Sequence, residues 1–307
     1  MEQLVIVARD LREQHDFRGY IHLKTIPDAD GELLSLAGRY ADRLSINMEL
    51  PTQRTLSVLA PEKDHRTIKR SMARIRAKCD EAKEDEKQHK VTRSLPSPAR
   101  TRVVRKAGER FAPAGQSTQM IIGADDSSDT TLLQTSSQLY AGYRLRRVYF
   151  SAFSPIPQAA SLLPAKPPPL QREHRLYQAD WLLRFYGFSA QEIHNATQGS
   201  GMLPLDIDPK LAWALAHRAE FPVDLNRASK GRLLRVPGLG VKTVNRLLRI
   251  RRWQKIRLQD LIALRAGVKK AMPFVICADH HPGTQDPSSD YLRDRFAAPA
   301  VQAALPF

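Results

Sequence analysis

Near the carboxyl end of the chain, Leu233-Leu234-Arg235-Val236-Pro237 runs into Gly238-Leu239-Gly240-Val241-Lys242-Thr243, with Arg246 and Arg249 following at helical spacing. Pro237 cannot extend a preceding helix, because it lacks an N–H and its ring collides with the previous turn. Gly238 and Gly240 let the backbone turn tightly and leave no Cβ in the way of an approaching group. A second helix starting at Val241 would present unpaired N–H groups and the positive end of its dipole. Those are the ingredients of a phosphate receptor. Lys242, Thr243, Arg246 and Arg249 add side-chain donors, so the device would read backbone charge and not base identity. Asn226 is placed to N-cap the first helix. An ordinary αα-hairpin with a glycine turn also fits the turn, though it does not call for the basic setting.

Residues 224–248 resemble the helix-hairpin-helix family of nucleic-acid-binding modules, through Leu-x-x-Val-Pro-Gly-Leu-Gly-Val-Lys-Thr. The resemblance implies contact with DNA through Gly238, Gly240, Val241, Lys242, Thr243, Arg246 and Arg249. A degenerate echo at Leu264-Arg265-Ala266-Gly267-Val268-Lys269, one residue shorter in its turn, reads as a second hairpin packing on the first.

The elements that must carry these residues follow from patterning. Residues 172–186, 189–197 and 208–217 carry helical patterns, the last with Pro209 in its first turn. Upstream, residues 1–15, 30–40, 63–90 and 128–140 read as helices. Residues 19–25, 42–50, 117–123 and 146–151 read as strands. Helix alternating with strand predicts parallel βα units. Four strands are expected in one sheet, ordered along the chain and open at the edge formed by residues 19–26. Residues 93–110 read as a basic loop, 155–169 as a stiff Pro-rich connector, and 279–307 as a disordered tail. The domain reading is 1–155, an α/β unit; 156–205, connector and helices; 206–278, an all-α DNA-binding domain; and the tail.

Composition agrees with a polyanion partner. The chain of 307 residues has 48 Lys plus Arg against 32 Asp plus Glu, a formal charge of +16. A field of that sign concentrates nucleic acid. No apolar run is long enough to span a bilayer and no secretory pattern opens the chain, so the compartment reads as cytoplasmic with no membrane partner. Cys79 and Cys277 stand far apart, outside any Cys-x-x-Cys spacing, and the histidines are scattered. Neither a disulfide framework nor a metal centre is expected.

Four segments of the front half carry a second resemblance: Gly-Tyr-Ile-His-Leu-Lys-Thr-Ile-Pro at 19–27, Ala-Asp-Arg-Leu-Ser-Ile-Asn-Met-Glu-Leu-Pro-Thr at 41–52, Phe-Ala-Pro-Ala-Gly-Gln-Ser-Thr-Gln-Met-Ile-Ile-Gly-Ala at 111–124 and Tyr-Arg-Leu-Arg-Arg-Val-Tyr-Phe-Ser-Ala-Phe-Ser-Pro at 143–155. They look like radical S-adenosylmethionine proteins described as DNA modification or repair enzymes, members of which also end in a helix-hairpin-helix. The resemblance implies part of a radical-SAM (β/α) barrel, S-adenosylmethionine and a 4Fe-4S cluster as cofactors. It also implies DNA, a uracil-DNA-glycosylase-like repair protein and a missing amino-terminal portion as partners. Such a cluster needs three thiolates in Cys-x-x-x-Cys-x-x-Cys, which this chain lacks. Met1 is therefore expected to be an internal methionine of a longer protein, and the chain to be inactive alone. The cofactor's organic half would fall to Lys24, Ser45, Asn47, Glu49, Gln119, Ile121 and Gly123. Gln119-x-Ile121-x-Gly123 departs from the family's Gly-x-Ile-x-Gly at its first position.

Two other classes remain open at this level. A helix-hairpin-helix DNA glycosylase with lyase activity would use Lys242 as Schiff-base amine and Asp260 as its carboxylate. The alternative for those residues is phosphate contact by Lys242 and helix capping by Asp260. A non-catalytic DNA-binding adaptor is the third reading.

Overall fold

A computed structural model describes residues 1–94, 110–155, 162–197, 199–283 and 288–297, with side chains up to residue 87 in the long helix that ends at Ser94. The basic stretch 95–109 and residues 156–161 of the connector lie outside the described residues. The chain divides into two compact units: residues 1–127 with 138–168, and residues 128–137 with 169–307.

In the first unit the order is α1 (Glu2–Glu13), β1 (His22–Lys24), α2 (Gly31–Tyr40), β2 (Arg43–Ser45), α3 (Gln53–Leu59), α4 (His65–Ser94), β3 (Gln116–Ile122), α5 (Asp129–Tyr143, whose first turns belong to the second unit) and β4 (Arg147–Ala152). The strands form one parallel sheet in the order β1-β2-β3-β4, with β1 at an edge. The expected architecture of four parallel strands in chain order is what the sheet contains, and the molecule is mixed α/β.

Period two sorts the strands into faces. Leu44, Ile46, Met48, Met120, Ile122, Val148 and Phe150 are buried on one face, as are Ile68, Met72 and Ile75 of α4. Gln116 Nε2 reaches the Met72 carbonyl oxygen at 3.0 Å, tying β3 to α4. The opposite face is polar. Register places Lys24, Ser45, Ser117 and Arg147 in one row across all four strands, with Gln119 opposite Tyr149 in the next.

Two local expectations change. Residues 42–50 are not one regular strand: after Ser45 the ladder is interrupted. The Thr118 hydroxyl accepts from Met48 N–H at 2.9 Å and donates to Ile46 O at 2.7 Å, taking a role that backbone groups would fill. Glu49 then sits at φ +63°, and pairing resumes only as a single bridge to Met120. Helix α3 was not anticipated. Pro51 reads as a stop, yet the next residue, Thr52, caps a new helix by accepting from Thr55 N–H at 3.2 Å.

The second unit is helical: α6 (Leu170–Trp181), a π turn at Leu182–Tyr186, α7 (Ala190–Asn195), α8 (Pro209–Ala216), β5 (Val223–Asp224), α9 (Lys230–Arg235), α10 (Val241–Ile250), α11 (Leu258–Ala263), α12 (Val268–Ala271), β6 (Val275–Ile276) and α13 (Ser289–Phe296). Ser189 opens α7 with a reciprocal capping box to Glu192, and Asp208 caps α8 ahead of Pro209. The two-residue strands β5 and β6 pair in parallel and join the ends of the two hairpins α9–α10 and α11–α12. The tail expected to lack structure contains α13. Its Leu292 is fully buried, and Arg293 forks onto Asp206 at 2.7 and 3.0 Å. One leucine in a polar run gives too little periodicity to announce such a helix.

Candidate nucleic-acid interface

Helix α9 is capped by Ser229, whose hydroxyl accepts from Arg232 N–H, and not by Asn226. Asn226 instead clasps the second hairpin: its Oδ1 accepts from Ile256 N–H at 2.7 Å and its Nδ2 donates to Ile256 O at 3.3 Å. Asn226 is a good cap by type, but Ser229 stands one residue before the helix that forms.

The two glycines of the turn have different work. Gly238 sits at φ +80°, where a side chain is strained, and a Cβ there would overlap the backbone carbonyl of Gly267. Its own carbonyl accepts from Gly267 N–H at 3.1 Å, so the two hairpins meet turn to turn, as the sequence echo predicts. Gly240, at φ −87°, is the N-cap of α10, and a Cβ on it would meet only the Tyr186 hydroxyl, at 3.8 Å. Gly238 is thus demanded by packing, whereas Gly240 is not.

No side chain caps α10. Of its first-turn N–H groups, that of Val241 is engaged by the Tyr186 hydroxyl, whose ionisation is pushed up by burial. Val241 is therefore withdrawn from the expected set of phosphate donors. Those of Lys242 and Thr243 have no intrahelical acceptor by the geometry of any helix start. Lys242, Arg246 and Arg249 are exposed on one side of α10 and form no ion pair among the described residues. Residues 225–259 contain 11 Lys and Arg and no Asp or Glu. Some of these cations are committed to the fold: Arg235 pairs with Glu192 and lies over Phe188, Arg251 donates to Ala228 O at 2.6 Å, and Arg232 donates to Glu220 O at 2.9 Å. The rest form an unneutralised strip.

Sequence reasoning missed Lys210. Its side chain is buried, its Nζ donates to Leu239 O at 2.6 Å inside the hairpin turn, and it lies 4.7 Å from the Tyr186 ring centroid. Burial lowers its pKa to about 7, and the nearby Asp208 carboxylate offsets only part of that. Nothing in Asp208-Pro209-Lys210-Leu211 marks this lysine, because its partner lies 29 residues away.

The lysine paired with a carboxylate in the lyase reading is not assembled. Lys242 is exposed, and both carboxylate oxygens of Asp260 are occupied, one by Arg257 N–H at 2.8 Å and the other by Gln254 Nε2 at 3.3 Å. Asp260 lies inside the first turn of α11, closing a box to its cap residue, and does not stand before a helix at 261–265.

In the first unit the residues expected at a cofactor fall on the polar sheet face. Ser45 and Asn47 are buried, while Lys24 is exposed beside Ser45. Glu49 accepts from Lys63 Nζ at 2.9 Å and lies 3.5 Å from Asn47 Nδ2. Gln119 and Ile121 are half-buried, opposite Tyr149 and Ser151. Gly123, at φ +74°, faces the Pro168 ring, which a Cβ would meet at 2.8 Å. Lys63 was not anticipated, since its role depends on the kink that turns Glu49. Ser117, fully buried in this face, has a hydroxyl with no hydrogen-bond partner among the described residues.

Compared with protein-family models, with curated proteins and with solved structures, the chain matches none. Among the described residues no helix is long and apolar enough to cross a membrane, and no group of three His, Cys, Asp or Glu could hold a metal ion.

Proposed function

We propose that this protein binds the nucleic-acid backbone through a helix-hairpin-helix formed by α9 and α10. We also propose that it serves DNA modification or repair, with a front unit akin to part of a radical-SAM (β/α) barrel. One observation carries the binding reading: an uncapped helix start leads into the stripe Lys242, Arg246 and Arg249, none of them neutralised. Lone surface cations are ordinary; three in line behind free N–H groups have the geometry of a phosphate track. The barrel reading draws support from the parallel strand order and from the polar row Lys24, Ser45, Ser117 and Arg147.

The residues present do not fit a 4Fe-4S cluster. Cys79 and Cys277 belong to different units, both are buried, and burial raises each thiol to about 11, away from the thiolate a cluster requires. No step through such a group is derived. The glycosylase-lyase reading has less support, since its amine is exposed and its carboxylate is engaged elsewhere. The adaptor reading needs nothing beyond the hairpin.

The test is fluorescence anisotropy of the full chain with labelled DNA across a salt series. The expected result is binding with little sequence preference, whose affinity falls linearly in log–log salt. Replacing Lys242, Arg246 and Arg249 together by alanine should reduce the salt slope by about 3 for duplex DNA, roughly 0.9 per lost phosphate contact. Salt-independent binding, or none at low salt, overturns the reading.

A further inference from the structure

Trp253 follows α10 and is 90% exposed. An indole left almost wholly in water contributes nothing to a core, and tryptophan is ordinarily well buried. Its surroundings are equally unusual. Arg252 and Lys255 flank it, exposed and without ion pairs among the described residues.

The position of Trp253 follows from helical winding. The turn after α10 continues the coil, with Arg252 N–H on Arg249 O at 3.2 Å and Trp253 N–H on Ile250 O at 2.9 Å. At 100° per residue, positions 242, 246, 249 and 253 fall within an arc of about 60°. The cationic stripe that begins at the hairpin turn therefore ends on an exposed aromatic ring, roughly 15 Å further along the axis.

We infer that Trp253 is a stacking platform for an unpaired base, so that the α10 face selects single-stranded or locally opened nucleic acid over intact duplex. This rests on the backbone-binding reading and deepens it. A cationic track that holds phosphates beside an aromatic face that holds bases is the minimal device for single-stranded binding. Duplex DNA offers phosphates to the same track, but its bases are already stacked on each other. A protein partner would also cover an exposed indole, but a strip of 35 residues without a carboxylate complements a polyanion.

The experiment compares three labelled probes of equal length on the full chain: an oligodeoxythymidine, a blunt duplex, and an oligomer of abasic residues. Wild type should bind the oligodeoxythymidine more tightly than the other two. Trp253→Ala should weaken oligodeoxythymidine binding about 5- to 150-fold, the range that one base–aromatic stack supports. Duplex and abasic binding should stay within about twofold, and the salt slope should not change, because no charge is removed. Trp253→Phe should restore most of the loss. An equal loss on all three probes, or a lowered melting temperature for Trp253→Ala, would assign the ring to the fold and overturn the inference. So would wild-type binding of all three probes that the alanine variant leaves unchanged, while backbone binding itself would stand. If wild type bound none of the probes at low salt, backbone binding would fall first.

Discussion

The hairpins α9–α10 and α11–α12 share a turn geometry and diverge in everything that follows it. They meet at Gly238 and Gly267, and β5 and β6 tie their outer ends. Past the first turn runs a helix of 10 residues whose cations are free; past the second runs one of four residues. The second continues into Met272-Pro273-Phe274, where Pro273 and Phe274 are buried. Lys270 is held by Asp208 at 2.7 Å, unlike its counterparts on α10. The difference teaches how one motif can be used twice. A hairpin whose charges are satisfied internally acts as a support, and one whose charges are left in line faces a partner.

That contrast predicts a large asymmetry between the two turn glycines. Gly238→Ala should destabilise the protein by on the order of 3 kcal/mol, from left-handed strain plus collision with the Gly267 carbonyl. Gly267→Ala should cost less, since its φ of −71° is ordinary and the nearest atom to a Cβ is Gly238 Cα at 3.1 Å. Denaturant unfolding of both variants checks the order; a reversed ranking would break the proposed division of labour.

Lys210 belongs to the first turn, through Leu239. Its folded pKa of about 7 lies below the ordinary 10.5 of an unfolded lysine, so the unfolded chain binds more protons between those values. This group's contribution to stability should therefore rise as pH rises from about 7 toward 10.5, and fall away as pH drops through 7. Lys210→Met should flatten the unfolding free energy over that window. A wild-type curve that is already flat, or one equally steep in the variant, would count against a buried, neutralising amine.

Gly240 separates binding from folding. A side chain there meets nothing closer than the Tyr186 hydroxyl, so Gly240→Val should cost only about 1 kcal/mol as a poorer N-cap. DNA binding should nevertheless weaken by roughly tenfold or more, because the Cβ would stand where a phosphate approaches the helix start. The smallest effects concern single cations. Lys242→Ala should lower the duplex salt slope by about 0.9, whereas Lys269→Ala on the supporting hairpin should leave it unchanged. Equal slopes for the two variants would erase the distinction between the hairpins.

Much of this protein was legible in local pattern. Period-two and period-3.6 repeats located the four strands, their parallel order and the start of α10 at Val241, because those signals reside in neighbouring residues. The turn Pro237-Gly238-Leu239-Gly240 announced itself through backbone chemistry alone. The sequence could not show that Asn226 serves Ile256, that Tyr186 occupies the Val241 N–H, or that Lys210 reaches Leu239, since each depends on a partner 29 or more residues away. Nor could composition separate Arg235 and Arg251, locked into the fold, from Arg246 and Arg249, left in water. Residue type and spacing determine which groups can bind, but a cation's availability is settled by which carboxylates, carbonyls and rings the tertiary structure brings within a few ångströms of it.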